Sequence, residues 1–425
     1  MSRFVAFPLA GEYDTVVVGG GTAGFAAAVT SAKNGAKTLL LEEKAFLGGT
    51  ATGGQIGMLM GFAEGEDQAP KKGIVKAVLD GLNEEGATSG VQIIYLCGRA
   101  DLAIPVIPYE HEALIRVIQR LTLESGAEIL LHTRVIGIEA KDGQITEVVF
   151  HNLEGIQKVR AKVVIDASFH GSAAVDAGCR YALGDSLGVL QPGSLMYEMS
   201  GVDGDIYDAL PQPEKKAIAD RGIAEGKLKV NNLLARPLPN GLRYCNMSRV
   251  SVNPLDTRDW TRAELEAREQ VKVISDYFTS HVPGFSQARL ASTGSFTGLR
   301  DSRRILGKYV LTSEDVLEGH TFADAVVKSS YPIDIHEANG VDSVIKKPKT
   351  GFFYIPYRAM VTEEVSNLIL AGRCISTEYE AHACIRVMIT CMRLGEVAGL
   401  AAAESVKTNV APNQLDGAGI GARLI

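Results

Sequence analysis

The 425-residue sequence lacks the cysteine and histidine spacings of a redox or metal site. No C-x-x-C, H-x-x-x-H or H-E-x-x-H pattern occurs. These absences exclude a disulfide framework and a zinc site of the usual kind, so we expect no metal. We also expect reduced, buried thiols at the six cysteines, which are Cys97, Cys179, Cys245, Cys374, Cys384 and Cys391.

Long apolar runs and an excess of basic residues are missing as well. No apolar stretch reaches the roughly 18 residues of a membrane span, and the opening segment MSRFVAFPLAGEYD is a poor signal peptide. The formal charge of −7 argues against nucleic acid, because neutralising phosphates requires clustered basic groups. We therefore expect a cytoplasmic protein without a membrane span or a nucleic-acid partner.

Glycine, in contrast, is abundant at 45 residues, and its first cluster belongs to a βαβ pattern. A buried strand is predicted at Tyr13–Gly19, an Ala-rich helix at Ala23–Asn34 and a second buried strand at Lys37–Glu42. Between the first strand and the helix, Gly19–Gly24 matches G-x-G-x-x-G. A glycine fingerprint in this context is typical of dinucleotide binding.

The fingerprint assigns a physical role to each residue. Gly19 permits the tight turn, Gly21 lets the backbone reach a pyrophosphate, and Gly24 lets the helix pack on the strand. The free N–H groups at the helix start attract phosphate. Glu42, at the end of the second strand, is placed to accept hydrogen bonds from ribose hydroxyls.

Two further segments favour FAD over NAD. Gly48-Gly49 is followed by Thr50 and Thr52 in a stretch, glycine-dotted through Gly65, that can wrap the pyrophosphate and ribityl chain of a longer cofactor. A distant predicted strand at Asn367–Ala371 ends in Gly-Arg, where the backbone can touch the flavin end.

Several longer patterns extend this interpretation over nearly the whole chain. They are E-x-x-x-F-L-G-G-x-A-T at 42–52, S-R-R-I-x-G-x-Y-V-L-T at 302–312, I-P-Y-R at 355–358, A-G-R-C-I-S at 371–376 and A-x-x-x-I-R-V-M at 381–388. Together they resemble the FAD-dependent oxidoreductase family, whose FAD domain is of the glutathione-reductase type. The family is biochemically diverse, so the resemblance indicates cofactor and fold better than substrate.

The resemblance implies a set of FAD contacts spread over both ends of the chain. Those at the pyrophosphate, ribityl chain and flavin are Gly19, Gly21, Thr22, Ala23, Gly24, Gly49, Thr50, Thr52, Gly372 and Arg373, and those on the adenosine side are Glu42, Val135, Ala167 and Ser168. Ile385, Arg386 and Val387 are expected at the pyrimidine edge of the flavin, where a helix from Arg386 to about Glu404 would direct its positive dipole end. One departure is Phe169-His170, which stands where the family usually has Gly-Asp.

These patterns predict an α/β protein with a Rossmann-type, glutathione-reductase-like FAD-binding domain and an inserted α+β substrate domain. We expect residues 1–190 and 351–425 to form the FAD-binding domain and residues 191–350 to form the substrate domain. A second match, to the looser form G-x-G-x-x-A at 417–422, lies too close to the C-terminus to open a helix, so we interpret it as a flexible tail.

The candidate catalytic residues lie in the middle and late parts of the chain. His336 is a candidate general base, oriented by Asp334 two residues earlier on a strand, and His382 is a second candidate. Arg300 and Arg358 are candidate anchors for an anionic substrate. For each of these, a purely structural role is the alternative, because surface histidines and ion-paired arginines are common.

These residues predict an FAD-dependent enzyme that transfers a hydride between flavin N5 and a small polar, possibly anionic molecule. A redox cysteine pair and a second nucleotide-binding unit are both missing, so the electron acceptor stays open among oxygen, a quinone and a carrier. A homo-oligomer is also left open. The alternatives are a flavin monooxygenase, an FAD-carrying electron-transfer subunit of a larger complex, and a non-redox nucleotide-binding module.

Overall fold

The computed structural model describes residues 7–62, 70–96, 99–337 and 343–424, and these form a mixed α/β fold. Cys97 and residues 63–65 of the glycine-dotted stretch lie outside the described residues. The helices are α1 (Thr22–Lys33), α2 (Gly73–Glu84), α3 (His111–Glu124), α4 (Ser172–Asp176), α5 (Gly204–Ala209), α6 (Gln212–Ala224), α7 (Thr257–His281), α8 (Ser313–Glu318), α9 (Tyr379–Ile385), α10 (Met388–Thr408) and α11 (Gly417–Leu424).

The strands belong to one large sheet and several small ones. They are β1 (Leu9–Val18), β2 (Thr38–Leu41), β3 (Met58–Met60), β4 (Gln92–Tyr95), β5 (Ala103–Pro108), β6 (Glu128–Leu130), β7 (Arg134–Lys141), β8 (Gln144–Asn152), β9 (Gly155–Asp166), β10 (Tyr181–Ala182), β11 (Tyr197–Ser200), β12 (Ala235–Pro237), β13 (Arg243–Cys245), β14 (Arg289–Thr293), β15 (Arg304–Ile305), β16 (Ala325–Ser329), β17 (Ile333–His336), β18 (Ser343–Lys346), β19 (Phe353–Pro356) and β20 (Leu368–Leu370).

The large sheet has the strand order β6-β2-β1-β9-β8-β7, and β20 also pairs with β9. Strands β6, β2, β1, β9 and β20 run parallel to one another, whereas β8 runs antiparallel both to β9 and to β7. The register aligns Val18 with Leu41 and Asp166, and Asp166 with Leu370. The carboxyl ends of four parallel strands therefore meet at one edge of the sheet, and the α/β prediction is confirmed.

Helices α1 and α10 pack directly against each other beside this sheet. A Cβ at Gly395 would clash with the carbonyl oxygen of Ala23, and a Cβ at Gly399 would clash with that of Ala27. The two helices therefore approach at backbone distance, which only glycine allows on the α10 side. An N-terminal and a C-terminal segment of the chain are joined in this way into one hydrophobic core.

The predicted helix from Arg386 to about Glu404 is partly wrong. Helix α9 ends at Ile385, Val387 is extended with φ −71° and ψ 149°, and α10 begins at Met388. The extended Val387 interrupts the helical hydrogen bonds, so Arg386 lies at a break between two helices. The predicted flexible tail is also wrong: Gly417–Leu424 is helix α11, and a Cβ at Gly421 would clash with the carbonyl oxygen of Ala325.

A second hydrophobic cluster is drawn from residues 195–299 and includes Tyr197, Phe278 and Phe285. It contains the antiparallel sheet β12-β13-β11-β14 and the long helix α7. Residues between Ile305 and Ile335 join the first cluster instead. The predicted domain limits at 190 and 350 stay a prediction.

The predictions about the cysteines and about a membrane span can be compared with the part of the chain that the structure describes. The five described cysteines are free and buried, which confirms the prediction for them. Among the same residues, no helix combines the length and the apolar character needed to cross a membrane.

We predict that Gly399→Ala lowers the free energy of unfolding by about 1–3 kcal/mol, as overpacking typically does. The added methyl would meet the backbone of Ala27 and Ser31, which cannot move aside as a side chain could. Urea unfolding of the purified protein measures the change. Gly419→Ala in α11 is the control, because its methyl would approach only the flexible Asp416 carboxylate. Equal stability of the two variants would contradict the close helix contact.

Candidate active site

The predicted cofactor-binding segments converge at the carboxyl edge of the large sheet. Gly19–Gly24 comes directly after β1, and Glu42 comes directly after β2. Ala167 and Ser168 come directly after β9, and Gly372 comes after β20 with one residue between them. The Gly48 N–H donates to the carbonyl oxygen of Gly20 at 2.8 Å, which brings the Gly48-Gly49 turn to the same edge. Segments from both ends of the chain are thus brought together, as the sequence predicts.

The glycine turn is tight on one side and open on the other. Gly19 has a φ of 93°, and a Cβ at Gly24 would clash with the Gly19 carbonyl oxygen. At Gly21, in contrast, an added Cβ would meet nothing within 4 Å, and no side chain caps the start of α1. Thr22 and Ala23 therefore begin a helix whose first-turn amides face open space, which is suited to a pyrophosphate.

Glu42 is fixed by the backbone in a position where it can still accept hydrogen bonds. One carboxylate oxygen accepts from the Gly20 N–H at 2.6 Å, and the other accepts from the Lys44 N–H at 2.8 Å. Burial raises the pKa of Glu42, whereas these two hydrogen bonds oppose the increase. A carboxylate has about four acceptor positions, so both oxygens keep capacity for ribose hydroxyls.

The segment that leads into Val135 is hydrogen-bonded to Glu42. The Thr133 N–H donates to the Glu42 carbonyl oxygen at 2.9 Å, and β7 starts at Arg134. The Ser168 hydroxyl is already used within the protein, because it donates to the Asp166 carboxylate at 2.6 Å. Thr52 is buried, and its hydroxyl donates to the Leu47 carbonyl oxygen at 2.7 Å, which supports the Gly48-Gly49 turn.

A cleft that is partly open to solvent continues from this edge toward the second hydrophobic cluster. Its lining includes four of the predicted cofactor contacts and two of the predicted catalytic residues. The lining residues are Thr50, Ile56, Met58, Met60, Met196, Tyr244, Asn246, Gly298, Leu299, Arg300, Tyr331, Asp334, His336, Arg373, Arg386, Val387 and Met388.

Strand β17 and the break between α9 and α10 bring charged groups together in this cleft. The Nε2 atom of His336 lies 3.6 Å from the Asp334 carboxylate, and the Arg386 guanidinium donates to the Asp334 carbonyl oxygen at 2.8 Å. The Tyr331 hydroxyl donates to the same carboxylate at 3.1 Å. The predicted pairing of His336 with Asp334 is therefore seen in the geometry.

The charges around His336 keep its imidazole neutral. Burial lowers the pKa of His336 well below its usual value, and the positive charges of Arg300, Arg249 and Arg386 lower it further. Arg300 is itself buried, and its guanidinium donates to the Pro192 carbonyl oxygen. Burial and the neighbouring charges of Arg249 and Arg386 lower the pKa of Arg300 as well, which shows how concentrated the positive charge is.

The Phe169-His170 departure connects the sheet edge to the second cluster. The Arg373 guanidinium stacks on the Phe169 ring at 3.7 Å, and His170 Nδ1 lies 2.7 Å from the Ser302 hydroxyl. The His170 ring also packs edge-on against Trp260 of α7. Burial, then the charges of Arg373 and Arg303, lower the pKa of His170 to about 4. Phe169 thus holds Arg373 beside the cleft, and His170 joins Ser302 to Trp260.

Two candidate catalytic residues do not line the cleft. His382 is buried, and its Nε2 atom lies 3.0 Å from the Arg373 carbonyl oxygen, which places it behind that segment. Arg358 is half exposed, pairs with the Asp324 carboxylate at 2.9 Å and packs on the Tyr309 ring. The alternative of a structural role therefore describes both residues.

Other lining residues carried no strong signal in the sequence. Met58 and Met60 alternate along β3 inside the glycine-dotted stretch, a pattern that also occurs in ordinary core strands. Met196, Tyr244 and Asn246 lie between residues 195 and 299 of the chain, and only the tertiary fold brings them to the cleft. Met196 and Tyr244 pack in the first hydrophobic cluster.

The family model for FAD-dependent oxidoreductases matches residues 14–424. The chain belongs to this family. FAD is therefore its cofactor, and the chain is an FAD-dependent oxidoreductase. The match begins inside β1 and ends with α11, so it includes the sheet edge, the cleft and the second cluster.

Comparison with individual proteins gives more distant similarities. Digeranylgeranylglycerophospholipid reductase of Thermoplasma volcanium is 26% identical over 197 residues, which are 45% of this chain and 48% of the relative. The chain thus matches about half the length of this curated relative. A geranylgeranyl bacteriochlorophyll reductase-like protein of Thermoplasma acidophilum has a TM-score of 0.51 at 16% identity, covering 97% of this chain and 82% of its own.

The p-nitrophenol 4-monooxygenase of Pseudomonas putida has a TM-score of 0.50 at 14% identity, covering 97% of this chain and 84% of its own. Identities this low show a shared fold alone. The fold therefore occurs both in a reductase-like protein and in a hydroxylase, and it does not select between their chemistries.

The residues present fit FAD at both ends of the cofactor. The uncapped start of α1 and the open space at Gly21 suit the pyrophosphate, and Glu42 keeps acceptor capacity for ribose. At the flavin end, Val387 and Met388 start α10 without a side-chain cap, and the buried Nε atom of Arg386 has no hydrogen-bond partner among the described residues. Both ends thus offer free donors to an electron-rich group.

We predict that Gly21→Ala weakens FAD binding by about tenfold or more, because its methyl occupies the space that the pyrophosphate needs. The protein itself has room for this methyl, so the melting temperature of the FAD-free protein should be unchanged. Titration of FAD-free protein with FAD, followed by flavin fluorescence, gives the dissociation constant. Gly24→Ala is the contrasting variant and should destabilise the FAD-free protein. Unchanged FAD affinity in Gly21→Ala would refute this position for the pyrophosphate.

Proposed function

We propose that the chain transfers a hydride between N5 of bound FAD and a small polar, anionic substrate in the cleft beside His336. Bound FAD supplies the hydride acceptor or donor, and the protein binds substrate and moves a proton. The observation that carries the proposal is the neutral, largely buried His336 beside Asp334, together with the arginines of the same cleft.

His336 is suited to accept a proton as hydride leaves a C–H bond of the substrate. Its low pKa keeps the imidazole neutral near pH 7, which a general base requires. The Asp334 carboxylate at 3.6 Å stabilises the imidazolium that forms. Arg300 is our proposed substrate anchor, because its planar guanidinium lines the same cleft.

The glutathione-reductase-type organisation is part of the same proposal. The sheet edge formed by both chain ends would hold FAD, with the fourteen residues named above as contacts at the phosphates and adenosine and with Ile385, Arg386 and Val387 near the flavin. The second cluster would be the substrate domain. The supporting observation is that Met196, Tyr244 and Asn246, from the same stretch of chain that supplies the second cluster, line the cleft together with Arg386 and Val387.

Anaerobic mixing of the FAD-loaded protein with hydroxy acids, sugars, amines and unsaturated acids tests the reaction type. Hydride transfer to the flavin predicts loss of the flavin absorbance band with one compound class while oxygen is excluded. The opposite result is a flavin that only an added reductant reduces and that then inserts oxygen into a substrate. That result would identify a monooxygenase and would refute the proposal.

We predict that His336→Gln slows flavin reduction by about 10²–10⁴-fold, the usual contribution of a general base. In the unaltered protein the rate should be constant around pH 7 and fall only in acid, since protonation removes the base and its pKa is lowered. Rapid-mixing measurements across pH check both points, and the acid decrease should be absent in the variant.

His320→Gln is the matched control for this experiment. His320 is half exposed, lies 3.0 Å from the Asp315 carboxylate and does not line the cleft. Its replacement should leave the rate and the pH profile unchanged. A His336→Gln variant with the same rate and the same acid decrease would show that another group accepts the proton.

A further inference from the structure

The lining of the cleft divides into a charged group and an apolar group. The charged group consists of Arg300, Asp334, His336, Arg373 and Arg386. The apolar group contains four of the chain's nine methionines and three aliphatic residues, namely Met58, Met60, Met196, Met388, Ile56, Leu299 and Val387. A sugar or another fully polar molecule would gain few favourable contacts from so many thioethers. The apolar group therefore requires its own explanation.

Tyrosines contact several members of the apolar group on its two sides. The Sδ atom of Met196 lies 3.5 Å from the Tyr244 hydroxyl, and a Cβ at Gly57, next to Met58, would reach the Tyr244 ring at 3.0 Å. On the other side, Met388 Sδ lies 3.9 Å from the Tyr109 hydroxyl, which also donates to the Ile56 carbonyl oxygen. Thioethers adapt their shape and pack favourably on aromatic faces.

The charged group carries an excess of positive charge. Three guanidinium groups face one carboxylate, since His336 is neutral and no other acidic residue lines the cleft within the described chain. Arg373 has its own partners, the Phe169 ring and the Leu299 carbonyl oxygen. Arg386 is assigned to the flavin end of FAD, which leaves Arg300 for a substrate anion. Buried charge of one sign is stable only when an opposite charge joins it.

We propose that the cleft takes an organic carboxylate with an aromatic or similarly flat, unsaturated body. The carboxylate lies on Arg300, next to Asp334 and His336, and the body packs on the methionine thioethers. This inference rests on the proposed function only in taking the cleft as the substrate site. It extends the proposal by naming a substrate with one anionic end and one apolar end.

Benzoate, benzamide and cyclohexanecarboxylate separate the two halves of this inference. Each is titrated into the FAD-loaded protein, and binding is followed by the shift of the flavin absorbance and by calorimetry. Benzamide keeps the ring without the charge and should bind at least tenfold more weakly than benzoate. Cyclohexanecarboxylate keeps the charge without the flat ring and should bind about two- to tenfold more weakly, the range expected of sulfur–aromatic contacts.

Variants of the protein assign these preferences to residues. Arg300→Ala should weaken benzoate binding by about ten- to a hundredfold, as the loss of a hydrogen bond to a charged group does. Arg358→Ala is the matched control, because that arginine pairs with Asp324 outside the cleft. Met196→Leu should retain carboxylate binding and abolish the preference for benzoate over cyclohexanecarboxylate. FAD content and melting temperature verify that each variant is folded, and Arg300→Lys replaces Arg300→Ala if the latter is not.

Two results would overturn the inference: equal affinity for benzoate and benzamide, or equal losses in the Arg300 and Arg358 variants. The outcome is separable from that of the proposed function. Benzoate binding without flavin reduction by any compound would support the carboxylate site and refute hydride transfer. Flavin reduction by neutral polyols without benzoate binding would do the opposite.

Discussion

Backbone-to-backbone contact at the start of α1 determines where every other part of the site can lie. Gly24 approaches the Gly19 carbonyl oxygen so closely that a methyl group has no room, and Gly395 makes the same kind of approach to Ala23 from α10. Helix α1 is thereby held between β1 and α10, with its first amides at the carboxyl edge of the sheet. The cleft follows, because the start of α10, at Val387 and Met388, lines it.

The parts of the fold that depend on local sequence could be predicted, and those that depend on distant partners could not. The βαβ unit could be predicted because its strand, glycine turn and helix are adjacent in the sequence. The observed bounds of these elements differ from the predicted bounds mainly at β1, which starts at Leu9. The break at Val387 has no glycine or proline to indicate it. Helix α11 could not be predicted either, because its glycines suggest a flexible tail. The contact of Gly421 with the distant Ala325 is what the sequence does not indicate.

The same distinction applies to the site. His336 and Asp334 could be paired from the sequence, because alternate residues of a strand share a face. Arg300 and Arg358 are both candidate substrate anchors in the sequence. Only the fold shows that Arg300 lines the cleft, whereas Arg358 pairs with Asp324 at the surface. The methionine surface could not be predicted at all, since it is assembled from β3, Met196 and α10, which are far apart in the chain.

The assembly of one core from both chain ends has a consequence for synthesis on the ribosome. Helix α1 is made well before α10, which covers its closely packed face. Until α10 is made, the Ala-rich face of α1 and the central strand β9 lack their final neighbours, so the nascent chain exposes apolar surface throughout the synthesis of the residues between them. The second cluster, drawn from residues 195–299, is made within that interval. The nucleotide-binding half is therefore completed after the second cluster has been made, and chaperones have the longer access to that half.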